Sequence, residues 1–172
     1  MIFELTKAYT EPHRHYHTLA HIALMFEATR SLGPLDLPLS REQEAAIWFH
    51  DAVYDPTRKD NEGRSAELAM RMLPNDLDKM IVWDMILDTK THEPSREQSC
   101  AVLDLDLSIL AAPVTRYAWY LDGIRKEYGH VSDADFAAGR QVWIEKMLAR
   151  RIFHTQAMFM ASAEAAKLNL QA

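Results

Sequence analysis

The sequence predicts an all-α fold, and three observations carry that prediction. Apolar residues recur at helical spacing along most of the chain, while the two-residue alternation of strands is scarce. Two phrases, Ser40-Arg41-Glu42-Gln43 and Ser95-Arg96-Glu97-Gln98, have the form of helix capping boxes. Pro56, Pro74 and Pro113 punctuate the periodic stretches.

Taken in order, the first stripe of Tyr16, Leu19, Ala20, Ala23, Met25 and Phe26 predicts a helix over about 16–30. Gly33-Pro34 and Pro38 mark a loop. The first capping box opens a helix that runs to about Asp51, and Asp55-Pro56 ends that segment. Residues 57–63 are polar and read as a surface loop. A helix near 64–73 stops at Pro74, and another spans about 76–89. The second capping box opens a helix near 96–111. Pro113 suits the first turn of a helix over 114–128, and Gly129 suits its end. Ser132 to Asp135 starts a helix reaching about 150, and a last one covers roughly 155–169. No repeat or linker interrupts the series, so residues 1–172 read as one domain.

Composition excludes several classes. With 19 Lys and Arg against 25 Asp and Glu, the formal charge is −6, so no basic field invites a nucleic-acid polymer. Cys100 is the only cysteine, which rules out an intrachain disulfide and a cysteine-rich zinc site, and fits the cytoplasm. The opening MIFELTKAYTEPHRHYH lacks the basic start and apolar core of a signal peptide. No apolar run approaches a membrane span. Four tryptophans and nine methionines leave apolar material enough for a homodimer.

The chemistry gathers around His50-Asp51, which closes the apolar run Ala45-Ala46-Ile47-Trp48-Phe49. An imidazole and a carboxylate are costly to bury uncompensated, and both are ordinary ligands of a divalent cation. Upstream, His13, His15, His17 and His21 cluster, and His17 and His21 share a face on a helix. Downstream, Leu103-Asp104-Leu105-Asp106-Leu107 sets two carboxylates in an apolar helix, so at least one turns inward and needs a partner. A mixed set of nitrogen and oxygen ligands leaves coordination positions for water and substrate.

These phrases resemble the HD-domain superfamily of metal-dependent phosphohydrolases. Arg14-His15-Tyr16-His17, Ala46 through Tyr54, Asn61-Glu62 with Ser65-Ala66, and Leu103 through Leu107 are similar to one bacterial branch of predicted members, from about Tyr9 to Asn169. The resemblance implies a single compact HD-like helical bundle. It also implies one divalent cation (Mn, Mg, Ni, Fe or Zn) held by His21 or His17 with His50, Asp51 and Asp106. Asp106 takes the place of the last ligand ahead of Asp104, and His17 stands as a second ligand or a phosphate contact. The activity implied is hydrolysis of a small phosphorylated substrate, such as a nucleotide, by metal-activated water. Asp51, Glu62 and His92 are the catalytic candidates, and Arg14, Arg64 and Lys90, with Arg58, the candidate phosphate contacts. Arg14 is favoured because it neighbours the histidine cluster.

Two other functions share these residues. An HD-like di-iron oxygenase would recruit His17 and His92 as extra ligands, and a regulator would bind metal or nucleotide without turnover. Tyr117, Trp119, Tyr120 and Tyr128 read as helix packing, Arg125-Lys126-Glu127-Tyr128 as a solvated face, and His130 and His154 as helix-end residues.

Overall fold

A computed structural model describes residues 2–31 and 39–172. The loop expected at Gly33-Pro34 and Pro38 lies outside them. The helices are α1 (Ile2–Ala8), α2 (Leu19–Ser31), α3 (Arg41–Phe49), α4 (Asn61–Met72), α5 (Lys79–Asp88), α6 (Glu97–Asp106), α7 (Val114–Glu127), α8 (Asp133–Leu148) and α9 (Gln156–Gln171), with a 3₁₀ turn at Leu107–Ala111. No strand occurs among the described residues, as the all-α reading requires. No single helix among them is long and apolar enough to cross a membrane.

Two apolar clusters organise these helices. The first joins Leu5 and Tyr9 to Ile22, Met25, Phe49 and Met85, so it draws on the N-terminal six helices. The second joins Tyr16, Leu110, Tyr117, Phe153, Met158 and Leu170. Leu105 belongs to the first and Leu107 to the second, so Asp106 stands at the seam. That placement explains the alternating Leu-Asp phrase: the chain passes from one core to the next, and the intervening carboxylate faces the gap.

Capping chemistry sets several boundaries. Ser40 accepts from the Gln43 N–H at 3.2 Å while the Gln43 side chain accepts from the Ser40 N–H at 2.9 Å, a complete capping box for α3. The second expected box does not form. The Ser95 N–H and hydroxyl both donate to Asp88 Oδ2 at 2.9 Å, and α6 starts from Arg96 without a side-chain cap. A carboxylate enclosed at the end of α5 is the stronger acceptor, so it captures the serine.

Other elements depart from the sequence reading for physical reasons. Helix α2 begins at Leu19 rather than Tyr16, because the backbone N–H groups of residues 15–17 turn toward Glu127 instead of entering a helix. Helix α4 begins at Asn61, inside the expected loop. The Asn61 amide donates to the Asp55 carbonyl at 2.9 Å and accepts from its N–H at 3.1 Å, closing the connection. The short α1 carries too brief a pattern to be read from sequence.

Candidate metal centre

His50 lies at the C-terminal end of α3, where Ala45, Ala46, Ile47 and Phe49 bury the helix. Its Nδ1–H donates to the Ile47 carbonyl at 2.9 Å. In the neutral ring this fixes the tautomer and leaves the Nε2 lone pair free to ligate. That Nε2 faces His21 Nε2 at 3.2 Å, Asp51 Oδ2 at 3.1 Å and Asp106 Oδ1 at 3.7 Å. His21 Nε2 in turn lies 3.1 Å from Asp106 Oδ1 and 3.9 Å from Asp51 Oδ2. One donor atom each from His21, His50 and Asp51 falls within 4.8 Å of the others, so this group could hold a metal ion. Lone pairs pointed at one another inside a protein repel unless a proton or a cation lies between them.

The electrostatics express that need. Burial disfavours the His50 imidazolium, yet the Asp51 and Asp106 carboxylates outweigh burial and raise its pKa to about 9. His21 goes the other way, since burial dominates and lowers it. Burial would raise Asp51 and Asp106, but the neighbouring imidazoles hold both carboxylates below their ordinary range. At pH 7 the metal-free cluster is therefore held together by a proton on His50.

Two consequences follow for pH. A cation must displace that proton, so metal affinity should climb by about tenfold per pH unit below about 9 and flatten above it, checked by chelator-competition titration. In the chelated protein, His50 is raised above its unfolded value of 6.5, so its stabilisation is full below 6.5 and lost as pH rises through about 9. His17, raised as well, adds the same sign, whereas the lowered His21 opposes only below 6.5. Thermal melts of chelated protein should fall across that window.

His17 is a flanking residue, not a member of the tight group. Its Nε2 stands 3.9 Å from Asp51 Oδ2, while its Nδ1 binds Glu127 Oε2 at 2.6 Å. His92 binds Asp106 Oδ2 at 3.0 Å on the other side. It adopts a left-handed backbone (φ 53°), and His154 Nε2 holds its carbonyl at 3.1 Å. A non-glycine residue fixed in that region marks a constrained position. Asp104, by contrast, accepts from the N–H groups of His154 and Thr155 at 2.6 and 2.8 Å and from the Thr155 hydroxyl, so it anchors the start of α9.

His50, Asp51 and Asp106 open onto a cavity of about 550 Å³ that also exposes Glu62, Lys90 and His92. A second, smaller cavity of about 160 Å³ reaches His21 and Asp106. Glu62 is engaged by Lys90 Nζ at 3.1 Å. Arg64 is exposed and does not line the larger cavity. Neither does Arg14, whose side chain is enclosed beneath the doublet. Its guanidinium donates to the carbonyls of His17, Asp51 and Ala52 at 3.0, 2.8 and 3.3 Å and to Glu11 at 3.0 Å. Committed to four oxygens, Arg14 fixes the backbone that presents Asp51 and is turned away from any phosphate in the cavity.

Sequence reasoning missed the residue that organises the histidine segment. Glu127, expected on a solvated face, is 4% exposed. Its Oε1 accepts the N–H groups of His15, Tyr16 and His17 at 2.7, 2.7 and 2.9 Å, and its Oε2 accepts His17 Nδ1 and the Tyr54 hydroxyl. These bonds outweigh burial and lower its pKa to about 2. Gly123, one turn earlier, lets α7 approach: a Cβ there would stand 3.0 Å from Tyr16 Cβ. The signal was present in the spacing of Tyr120, Gly123 and Glu127 along one helical face.

The arrangement is that of a helical protein with a buried His/Asp group fit to hold a cation beside a cavity. No family model, curated protein or solved structure matches the chain.

Proposed function

We propose that this chain is a metal-dependent phosphohydrolase of the HD-domain superfamily acting on a small phosphorylated substrate such as a nucleotide. The observation that carries the reading is the meeting of His21, His50, Asp51 and Asp106 beside a cavity of about 550 Å³, within the size range of small-molecule sites. His21, His50, Asp51 and Asp106 would hold the divalent cation. Bound there, it lowers the pKa of water and polarises a phosphoryl oxygen.

The chain's own residues supply the rest. Asp106 is oriented by the His92 ring, and His154, just before α9, holds the His92 backbone through its carbonyl. His92 and Glu62 both open onto the cavity and are placed to carry a proton to the leaving oxygen. Arg58 and Lys90 form a cationic rim that draws an anion into a net acidic chain.

Metal content and phosphate release test the reading together. Protein purified without chelator should carry about one divalent transition-metal ion per chain and release phosphate from a panel of phosphomonoesters and nucleotides. No metal after reconstitution, or metal without phosphate release from any member, sinks it. His17 stands beside Asp51 and His92 beside Asp106, which favours one second reading: about two irons per chain would point to the oxygenase.

A further inference from the structure

Three cationic side chains line the larger cavity, and their surroundings differ. Arg58 is paired with Asp60 at 2.6 Å and Lys90 with Glu62 at 3.1 Å. Arg140, from α8, pairs with no carboxylate among the described residues. Its guanidinium lies 4.2 Å from the Trp143 ring and 5.2 Å from the Tyr120 ring, and Nη1 donates to the Tyr120 hydroxyl at 2.8 Å. Nη2 is buried without a hydrogen-bond partner.

A second orphan donor belongs to a residue shared by both cavities. Tyr16 lines the larger and the smaller one, and its hydroxyl is buried without a partner. Tyr16 packs edge-on against Tyr120 at 4.8 Å and lies 4.9 Å from the His21 ring, so one aromatic chain runs from Arg140 to the metal cluster. Buried donors without acceptors are costly, and two on residues that line one cavity and share the Tyr120 ring mark where an acceptor-rich ligand belongs.

We propose that Tyr16 Oη and Arg140 Nη2 form an oxyanion subsite that receives the phosphoryl group of the substrate. The choice of phosphate rests on the phosphohydrolase reading; the need for an anion rests on the orphan donors and the unpaired charge. A guanidinium and a phenol together offer donors that suit a tetrahedral oxyanion. Stacking on Trp143 and Tyr120 holds the guanidinium plane in place, so little freedom is lost on binding.

Calorimetric titration of inorganic phosphate into the Mn²⁺-supplemented wild-type chain, Arg140→Gln, Arg140→Lys and Tyr16→Phe tests the subsite directly. Arg140→Gln should raise Kd by about tenfold or more, and Tyr16→Phe by about threefold to tenfold. Arg140→Lys keeps the charge and guards against a folding defect; it should fall between wild type and Gln. Tyr16→Phe should melt no lower than wild type, because the hydroxyl it removes has no protein partner. No phosphate binding by wild type, or unchanged Kd in both Arg140→Gln and Tyr16→Phe, overturns the subsite. Phosphomonoester turnover is scored separately. Phosphate binding that depends on these residues without turnover keeps the subsite and removes the hydrolase. Turnover with unaltered KM and kcat in both variants removes the subsite alone.

Discussion

Glu127→Ala should destabilise the chain by about 3–5 kcal/mol, the largest single-residue effect expected on the fold. The carboxylate is fully enclosed and accepts from five donors: three consecutive N–H groups, an imidazole and a phenol. Alanine would leave the buried Tyr16 N–H and four partly buried donors without their acceptor and would free residues 15–17, which connect α1 to the start of α2 and so place His21. Glu127→Gln should recover part of the loss. Its carbonyl oxygen still serves the backbone groups, while its NH₂ meets a phenol and an imidazole that can each turn to accept. Acid gives a second check with a definite sign. Glu127 is depressed from 4.5 to about 2, so its contribution is present above 4.5 and lost as pH falls through about 2. The stability gap between wild type and Glu127→Gln should narrow over that window in denaturant unfolding. An Ala variant as stable as wild type at pH 7 would mean that the three N–H groups find other acceptors.

The α3 helix and its Ser40 cap were legible in the sequence because both signals are local: an apolar period and two side chains three residues apart. The doublet was legible because buried polar residues in apolar runs demand compensation, and the same argument called for an upstream histidine and an inward aspartate; it was the family resemblance that preferred His21 and Asp106. Glu127, Arg14 and Arg140 were not, for one shared reason. Their roles depend on partners far along the chain, such as Glu127 with residues 15–17 or Arg14 with the Asp51 carbonyl. A charged side chain reads as solvated until the fold supplies its partner. Ser95 shows the converse, since a correct local pattern yielded to the Asp88 carboxylate.

Three enclosed carboxylates give this molecule much of its definition. Asp88 gathers Ser95 and Ser99 at the entry to α6, Asp104 gathers the start of α9, and Glu127 gathers the histidine segment. Each accepts from chain near a helix start, so each adds directional bonding to the packing of neighbours such as Tyr16, Val102 and Phe153. Their effect converges on the cluster. Asp104 fixes His154, which holds His92, which orients Asp106, while Glu127 orients His17 beside Asp51.

Asp51→Ala should abolish metal retention and turnover while leaving the helices intact. Its side chain is 17% exposed and meets the imidazoles of His17, His21 and His50, so little packing is lost. Loss of a direct ligand should weaken metal affinity by at least about a hundredfold, the upper effect of losing even an outer partner of a ligand. Phosphate release should fall by about a thousandfold or more, since both the cation and its placement go. Asp51→Asn separates charge from geometry. It retains an oxygen of similar reach but no longer holds the proton on His50, so its chelated form should show a flatter stability profile from pH 6.5 to 9 than wild type. Metal content by elemental mass spectrometry, beside circular dichroism, decides the matter. A folded Asp51→Ala chain that keeps its full complement of metal would place the ion elsewhere and remove Asp51 from the ligand set. A folded chain emptied of metal, with Asp106→Ala behaving alike, would fix the cation where α2, the end of α3 and the end of α6 must stay in register for the four proposed ligands to meet.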